Sequence, residues 1–444
     1  MKTVRHFTRR QFLKGAATAA GAAVAGPYIA TSAVPRADGG ARPAPSNRIN
    51  LGIIGVGGQG RGHLGGLLGH PDVQVVALCD VDANHREQSK NRAEQHYGDA
   101  TRSGRYQGVG AYNDFRDLIA RDDVDAVLIA TPDNWHGLMT IAAAKAGKDI
   151  YCEKPLALTI GEGRAAVEAV RRYGRVFQTG SQERSGSSCR FACELVRNGR
   201  LGKLHTIRVN LPTDNRRTGP QPEMPVPEGL DYDMWLGPAP WEPYTQERCH
   251  FNFRWILDYA LGEITDRGAH VGDLAVWGAE PFLKGQGPIE VEGSGEFPNV
   301  GLWNSATAFH VEHTYANGIR MIFESVGPRG VRFEGSDGWV FIHIHGGRLE
   351  ADPVSLLNED IGPNDVHLHR SPGHHQDFIN AVKTRGETVA PVEGGHATIT
   401  ACCLGHIAMK VGRKVVWDPE KELFVNDAEA NRLINRSLRA PWVL

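Results

Sequence analysis

The chain has 444 residues, too many for one core of ordinary size, so more than one domain is expected. Its 49 Lys+Arg against 51 Asp+Glu exclude the strongly basic surface of a nucleic-acid binder and the basic face of a protein held on an anionic membrane. The seven cysteines (Cys79, Cys152, Cys189, Cys193, Cys249, Cys402, Cys403) are an odd number without a Cys-x-x-Cys pair, which argues against a disulfide framework.

The N-terminus reads as a twin-arginine export signal. Thr8-Arg9-Arg10-Gln11-Phe12-Leu13-Lys14 precedes an Ala/Gly stretch from Gly15 to Ala25 that is too short and too Ala-rich for a membrane anchor. Signal and linker are expected over 1–47, with cleavage near Ala33 and a periplasmic or otherwise exported mature protein. No other segment reads as transmembrane.

Residues 48–54 form an apolar strand that runs into Gly55-Val56-Gly57-Gly58-Gln59-Gly60 and a helix to Leu68. A second strand, 73–78, ends at Cys79-Asp80, and a charged helix follows over 83–97. Tyr112-Asn113-Asp114-Phe115 opens a short helix. The strand 124–130 ends at Thr131-Pro132, the helix 136–146 follows, and the strand 149–152 runs into Glu153-Lys154-Pro155. A helix over 164–173 and a strand over 176–180 complete the alternation, which predicts a parallel, doubly wound sheet for a first domain at 48–180. In a second domain, 181–444, alternating runs at 205–211, 305–315, 319–324 and 339–345 predict an antiparallel sheet with one face covered. A Pro-rich loop (220–227), helices over 376–383 and 397–411, and a C-terminus packing back from Trp417 complete the reading. Cys189 and Cys193 stand at helical spacing and read as packing.

Gly55-x-Gly57-x-x-Gly60 lies where a strand becomes a helix. Gly55 suits the tight turn, Gly57 a close approach to pyrophosphate and Gly60 close helix packing, with Gly58 and Gln59 completing the loop. Asp80, twenty residues after Gly60, is placed to accept hydrogen bonds from ribose hydroxyls and to repel a 2′-phosphate, which predicts NAD over NADP. Thr131, Pro132 and Asn134 are assigned to the nicotinamide half, and His136 either joins them or caps the following helix. Glu153 and Lys154 end another strand, and Pro155 biases the lysine toward an extended backbone; a lysine beside nicotinamide polarises a substrate hydroxyl or carbonyl. Asp266, His270 and Asp273 stand at i, i+4 and i+7, on one helical face. A carboxylate one turn from an imidazole sets its tautomer and raises its basicity, which makes His270 a candidate general base. Gln182, Arg184, Arg254, Trp255, Tyr259 and Asp273 are substrate candidates: Trp255 suits the C–H face of a sugar, and the arginines suit its hydroxyls. The pairs His343/His345 and His367/His369 read as solvated or packed, and His374-His375 likewise, with lining of the site left open; no metal centre is expected.

The order of glycine loop, Asp80, Thr131-Pro132-x-x-x-His136, Glu153-Lys154-Pro155 and Asp266-x-x-x-His270 resembles the glucose-fructose oxidoreductase / inositol dehydrogenase / rhizopine-catabolism (Gfo/Idh/MocA) family. The resemblance spans nearly all of the chain after the signal. Its specific parts are Glu-Lys-Pro and the late Asp-x-x-x-His. It implies an N-terminal Rossmann domain and a C-terminal α/β domain on a large, mostly antiparallel sheet. It also implies association through that sheet as a homodimer or homotetramer. The family's catalytic lysine falls on Lys154, its histidine base on His270 and its supporting aspartate on Asp266. Exported members exist, some retain the dinucleotide through turnover, and one branch cleaves glycosidic bonds by transient oxidation. The loop at 220–227 has no counterpart in the simplest members. Three readings follow: an NAD-dependent oxidoreductase acting on a secondary alcohol of a sugar, glycoside or cyclitol; a glycoside-cleaving lyase or hydrolase using the same redox step; or a non-catalytic dinucleotide or sugar sensor.

Overall fold

The apolar runs of the first half form six parallel strands: β1 (Ile49–Ile54), β2 (Val73–Cys79), β3 (Gly110–Tyr112), β4 (Ala126–Ile129), β5 (Asp149–Cys152) and β6 (Phe177–Thr179). Their order is β3-β2-β1-β4-β5-β6, so the order in which successive strands are added reverses between β1 and β4. The loops after those two strands part at that point and leave a crevice at the carboxyl edge. The computed structural model describes residues 47–213, 215–283 and 288–444, with the backbone pairing of Val34–Pro35 and Ala41–Arg42. The segment Thr8–Lys14, expected to be an export signal, and the Ala/Gly stretch lie outside the described residues.

Helices α1 (Gly58–Leu68), α2 (Ala83–His96), α3 (Asp133–Lys145) and α4 (Ile160–Arg172) link these strands. Two of them begin earlier than their apolar periodicity suggests. Pro132 takes the N-cap of α3, so that helix starts at Asp133 and not at 136. Thr159 caps α4 by accepting a hydrogen bond from the Glu162 amide, so that helix starts at Ile160 and not at 164; Thr-x-x-Glu is the spelling of a capping box. The short helix expected from Tyr112 is Phe115–Ile119, capped by Asp114, and Tyr112 belongs to β3.

The second sheet has nine strands among the described residues: β7 (Leu204–Asn210), β8 (Glu290–Glu296), β9 (Ala308–Thr314), β10 (Arg320–Glu324), β11 (Gly330–Gly335), β12 (Trp339–His343), β13 (Leu349–Asp352), β14 (Val415–Asp418) and β15 (Leu423–Phe424). Their order is β13-β12-β11-β7-β10-β9-β8-β14-β15. The ladders are antiparallel except for β7 with β10, which is parallel. A parallel pair requires a long crossover, and the chain between these strands supplies one. Helices α5 (Ser187–Arg197), α6 (Gly268–Leu283), α7 (His374–Thr384) and α8 (Val392–Val411) follow β6 along the chain. Helix α6 lies close on the sheet through glycines: a Cβ on Gly278 would stand 2.7 Å from Phe333, and one on Gly272 3.1 Å from Phe323. This approach fixes the start of α6, and with it His270, over the crevice.

Both sheets belong to one compact unit, Ile49–Leu444. The C-terminal residues return to the first sheet, where the Trp442 ring meets that of Trp135 at 4.7 Å. All seven cysteines are buried and free. No helix among the described residues is long and apolar enough to cross a membrane.

Candidate active site

The glycine loop builds the first wall of the site. Gly55 has φ +81°, and a Cβ there would stand 2.5 Å from the Ala130 carbonyl oxygen; a Cβ on Gly60 would overlap the Gly55 carbonyl at 1.8 Å. Gly57 is the N-cap of α1 and offers no side chain to the first-turn amides, and Gly58 faces open space. The first-turn N–H groups are therefore available to an anion, and the cradle fits a pyrophosphate. Gly60 does not reach the cavity; its part is packing. Asp80 accepts from the Val56 amide at 2.8 Å and the Asp82 amide at 2.9 Å, which ties the end of β2 to the loop. A hydrogen bond to Asp80 raises the pKa of His85.

A cavity of about 660 Å³ runs from this loop across the switch point into the second half of the chain. Gly55, Gly57, Gly58, Gln59, Asp80, Thr131, Pro132, His136, Glu153 and Lys154 line it, and so do Gln182, Arg254, Asp266 and His270. Groups the sequence places far apart thus share one space.

The Lys154 ammonium donates to the Asp266 carboxylate at 2.7 Å and to the Asp266 carbonyl at 2.9 Å. An ammonium has three donors, so one is left for a ligand. Arg254 also donates to the Asp266 carboxylate, at 3.2 Å, and Arg267 stands 3.7 Å away. Burial alone would raise the Asp266 pKa, but Lys154 and then Arg254 outweigh it and hold the carboxyl well below the usual range. His270, in the first turn of α6, is 7% exposed, and its Nδ1 has no hydrogen-bond partner among the described groups. Burial first, and Lys154 second, push its pKa down to about 3, so the imidazole is neutral at neutral pH. Here the structure corrects the sequence reading: the Asp266 carboxylate is bound to Lys154 and Arg254, not to His270. Asp266 closes a separate short helix, Glu263–Asp266, before α6 begins. Glu153 accepts from Gln182 at 2.8 Å and sits 2.8 Å from His63; despite the opposing effect of burial, His63, Lys154 and His270 hold it down to about 2.

Other assignments also change. Arg184 and Asp273 do not line the cavity; they pair with each other through two contacts of 2.7 Å, and Thr398 donates to the same carboxylate at 3.0 Å. Asp273 is 1% exposed, so a buried guanidinium and a buried carboxylate satisfy each other instead of a substrate. Trp255 and Tyr259 are core residues: Tyr259 is 0% exposed, packs on Trp235 at 5.1 Å and accepts from Arg248 at 3.1 Å. Asn134 turns its amide to the Leu236 carbonyl at 3.3 Å, because α3 begins at Asp133, three residues earlier than expected, and Asp133 takes the cavity position. Burial raises the Asp133 carboxyl to about 7 against the pull of Lys154. His136 is neither helix cap nor free: its ring nitrogens lie 2.6 Å from the Pro155 carbonyl and 2.9 Å from that of Thr131, clamping the two loops together.

The sequence reading missed His85, Trp135, Glu183, His250, Phe251, Phe253, Arg267 and His345, all of which line the cavity. Phe251 and Phe253 hold the guanidinium of Arg254 over their rings at 4.6 Å each. His345, expected to be solvated or packed, faces the His270 ring at 5.7 Å. Phe251 and Phe253 precede Arg254 by three residues and by one, and that aromatic cluster beside an arginine is the available signal. Nothing local in the sequence marks His345. One grouping of metal-capable side chains occurs among the described residues: Asp82, His85 and His250, whose ligand atoms lie within 4.8 Å of one another.

A family model described as the C-terminal alpha/beta domain of an oxidoreductase family (Gfo/Idh/MocA) matches residues 216–444, and one described as that family's NAD-binding Rossmann fold matches residues 49–181. The chain belongs to the Gfo/Idh/MocA oxidoreductase family. Residues 49–181 are the family's NAD-binding Rossmann fold. A myo-inositol 2-dehydrogenase from Thermotoga maritima is 30% identical over 185 residues, 41% of this chain and 48% of that protein. An alpha-N-acetylgalactosaminidase from Shewanella oneidensis is 29% identical over 232 residues, 48% of this chain and 49% of that protein. The chain spans about half the length of the curated relatives it matches. The solved WlbA dehydrogenase of Bordetella pertussis, in complex with NADH and UDP-GlcNAcA, shares the fold of this family member: TM-score 0.58 at 17% identity, covering 84% of this chain and 99% of that one.

Proposed function

We infer that this protein moves a hydride between tightly held NAD and a secondary alcohol of a sugar, glycoside or cyclitol. The observation that carries the reading is the meeting of Lys154, from the first sheet, and His270, from the second half, in the cavity of the glycine loop. Bound NAD would supply the hydride acceptor, cradled by the loop at Gly55–Gly60 with its ribose toward Asp80. The third donor of Lys154 binds the substrate oxygen and stabilises the charge that develops on it. The neutral imidazole of His270 accepts the hydroxyl proton. Its imidazolium is stabilised by Glu153 and Asp266, both of which pull its pKa upward. Asp266 fixes the direction of the Lys154 ammonium. Arg254 and Gln182 remain as donors for other hydroxyls.

The remaining assignments belong to the same proposal: a signal and linker over 1–47, domains at 48–180 and 181–444, export by the twin-arginine route, and a homodimer or homotetramer. That route moves folded proteins, so the cofactor would be loaded before export.

A second reading is redox-neutral glycoside cleavage, in which the sugar is oxidised, the aglycone eliminated and the hydride returned. The similarity to an alpha-N-acetylgalactosaminidase over 232 residues favours keeping it, as does the lack of an obvious supply of fresh NAD outside the cytoplasm. One experiment separates the two. Purified full-length protein is mixed with sugars and with aryl glycosides while nicotinamide absorbance and aglycone release are both followed. Lasting reduction by a sugar supports the oxidoreductase, aglycone release without lasting reduction supports the second reading, and neither signal contradicts both.

A further inference from the structure

The hydrogen bonds of Glu153 lead out of the cavity. Its Oε1 lies 2.8 Å from Nε2 of His63, on α1. Nδ1 of His63 lies 2.7 Å from Nε2 of His375, on α7, and His375 is partly exposed at the far end. The three side chains come from the end of β5, from α1 and from α7, so tertiary structure alone aligns them. Gln182 donates to Glu153 at 2.8 Å and to the Tyr151 hydroxyl at 3.1 Å. The fully buried Tyr151 ring stands edge-on to His63 at 5.4 Å and walls the line off from the side. Glu153 is already met by Gln182, His63 and the Lys154 amide; the second imidazole, His375, bonds to His63 and extends the line beyond the carboxylate's own partners. It also carries a cost: burial, then His63, pushes His375 down to about 4.

We propose that Glu153, His63 and His375 form a proton relay joining the reaction cavity to solvent while cofactor and substrate fill its mouth. The inference rests on the hydride-transfer reading above. Oxidising one CH–OH to C=O sends two electrons and one hydrogen to nicotinamide and leaves one proton, the hydroxyl's, on His270. Both His270 and Glu153 line the cavity, and the Glu153 charge acts on the imidazole; in the relay the proton crosses that shared space from the imidazole to the carboxylate. With both rings in their Nδ1–H tautomers, the protonated Glu153 gives a proton to Nε2 of His63, His63 gives its Nδ1 proton to Nε2 of His375, and His375 releases its Nδ1 proton to solvent; the passage leaves both rings as Nε2–H tautomers, with His63 donating to the ionised Glu153, and the rings turn over to restore the starting tautomers before the next proton. One proton enters and one leaves, with no net change of charge on the relay; carbonyl reduction runs it inward. His63 and His375 touch neither substrate nor cofactor and act through Glu153.

The test uses the full-length protein with its bound cofactor in weak buffer containing a pH-indicator dye. Nicotinamide absorbance and proton release are followed together after mixing with the sugar. In wild type, the two signals are expected to rise together. In His63→Gln, which keeps a hydrogen bond to Glu153 but cannot pass a proton, and in His375→Gln at the partly exposed end, proton release should lag reduction and steady-state turnover should fall by roughly 10²-fold. Added imidazole should restore proton release in His375→Gln. Proton release in step with reduction in both folded variants would overturn the relay. A cofactor-free readout stands beside it: wild type should show a far-downfield imidazole proton resonance that both variants lose, and its absence from wild type counts against the relay. If wild type shows no reduction with any sugar, the hydride-transfer reading fails, and the resonance still decides whether the hydrogen-bonded line exists.

Discussion

Lys154 owes its position to Asp266, which takes two of its three donors. Asp266→Asn keeps the shape and removes the charge, so the ammonium loses its anchor and Asp266 no longer supports an imidazolium on His270. Turnover is expected to fall by roughly 10²-fold, mostly in kcat, measured by steady-state kinetics with the preferred sugar. The depressed pKa of His270 also has a consequence for stability. The unfolded imidazole titrates near 6.5 and the folded one near 3. The folded state therefore benefits from the neutral ring above 6.5 and loses that benefit as pH falls toward 3. His270→Gln has nothing to protonate there. Its urea stability relative to wild type should improve by about 1.4 kcal/mol per pH unit across that window; a constant difference would mean the ring is not buried neutral.

Between elements, the Arg184–Asp273 pair pins the segment after β6 to α6, and Thr398 adds α8 to the same carboxylate. Asp273→Asn leaves a guanidinium buried without its counter-ion, so unfolding free energy should drop by about 3–5 kcal/mol, while the variant that remains folded still reduces its cofactor. A large loss of substrate affinity with unchanged stability would instead return these residues to the substrate site. The pair also shows what a sequence can disclose. Arg184 and Asp273 are the right residue types for a sugar site, and only three-dimensional placement reveals that they neutralise each other. The glycine loop, Asp80 and Glu153-Lys154 were legible because each sits at a strand end, where type and position coincide. The start of α3 was not, because apolar periodicity begins later than the cap at Pro132, and that offset moved the cavity position from Asn134 to Asp133. Strand β8, Glu-Val-Glu-Gly-Ser-Gly-Glu, carries one strongly apolar residue and takes its strand form from pairing with β9. The parallel β7–β10 ladder was equally hidden, since register between distant strands leaves no local trace.

At the scale of the molecule, the site exists because α6 packs close on the second sheet and brings His270 to the open edge of the first. Under the proposed export, a cofactor loaded in the cytoplasm travels with the folded protein, so mature protein purified from the periplasm should release NAD on denaturation, read by mass spectrometry. Mature protein free of dinucleotide would remove the argument that export and tight binding go together. The central claim is narrower: the imidazole from one half takes the proton of a hydroxyl held by the ammonium from the other. Single-turnover reduction of the bound cofactor by substrate, compared between wild type and His270→Ala, tests it most directly. The account predicts a fall of about 10²-fold or more with the cofactor still bound; reduction at the wild-type rate would contradict it.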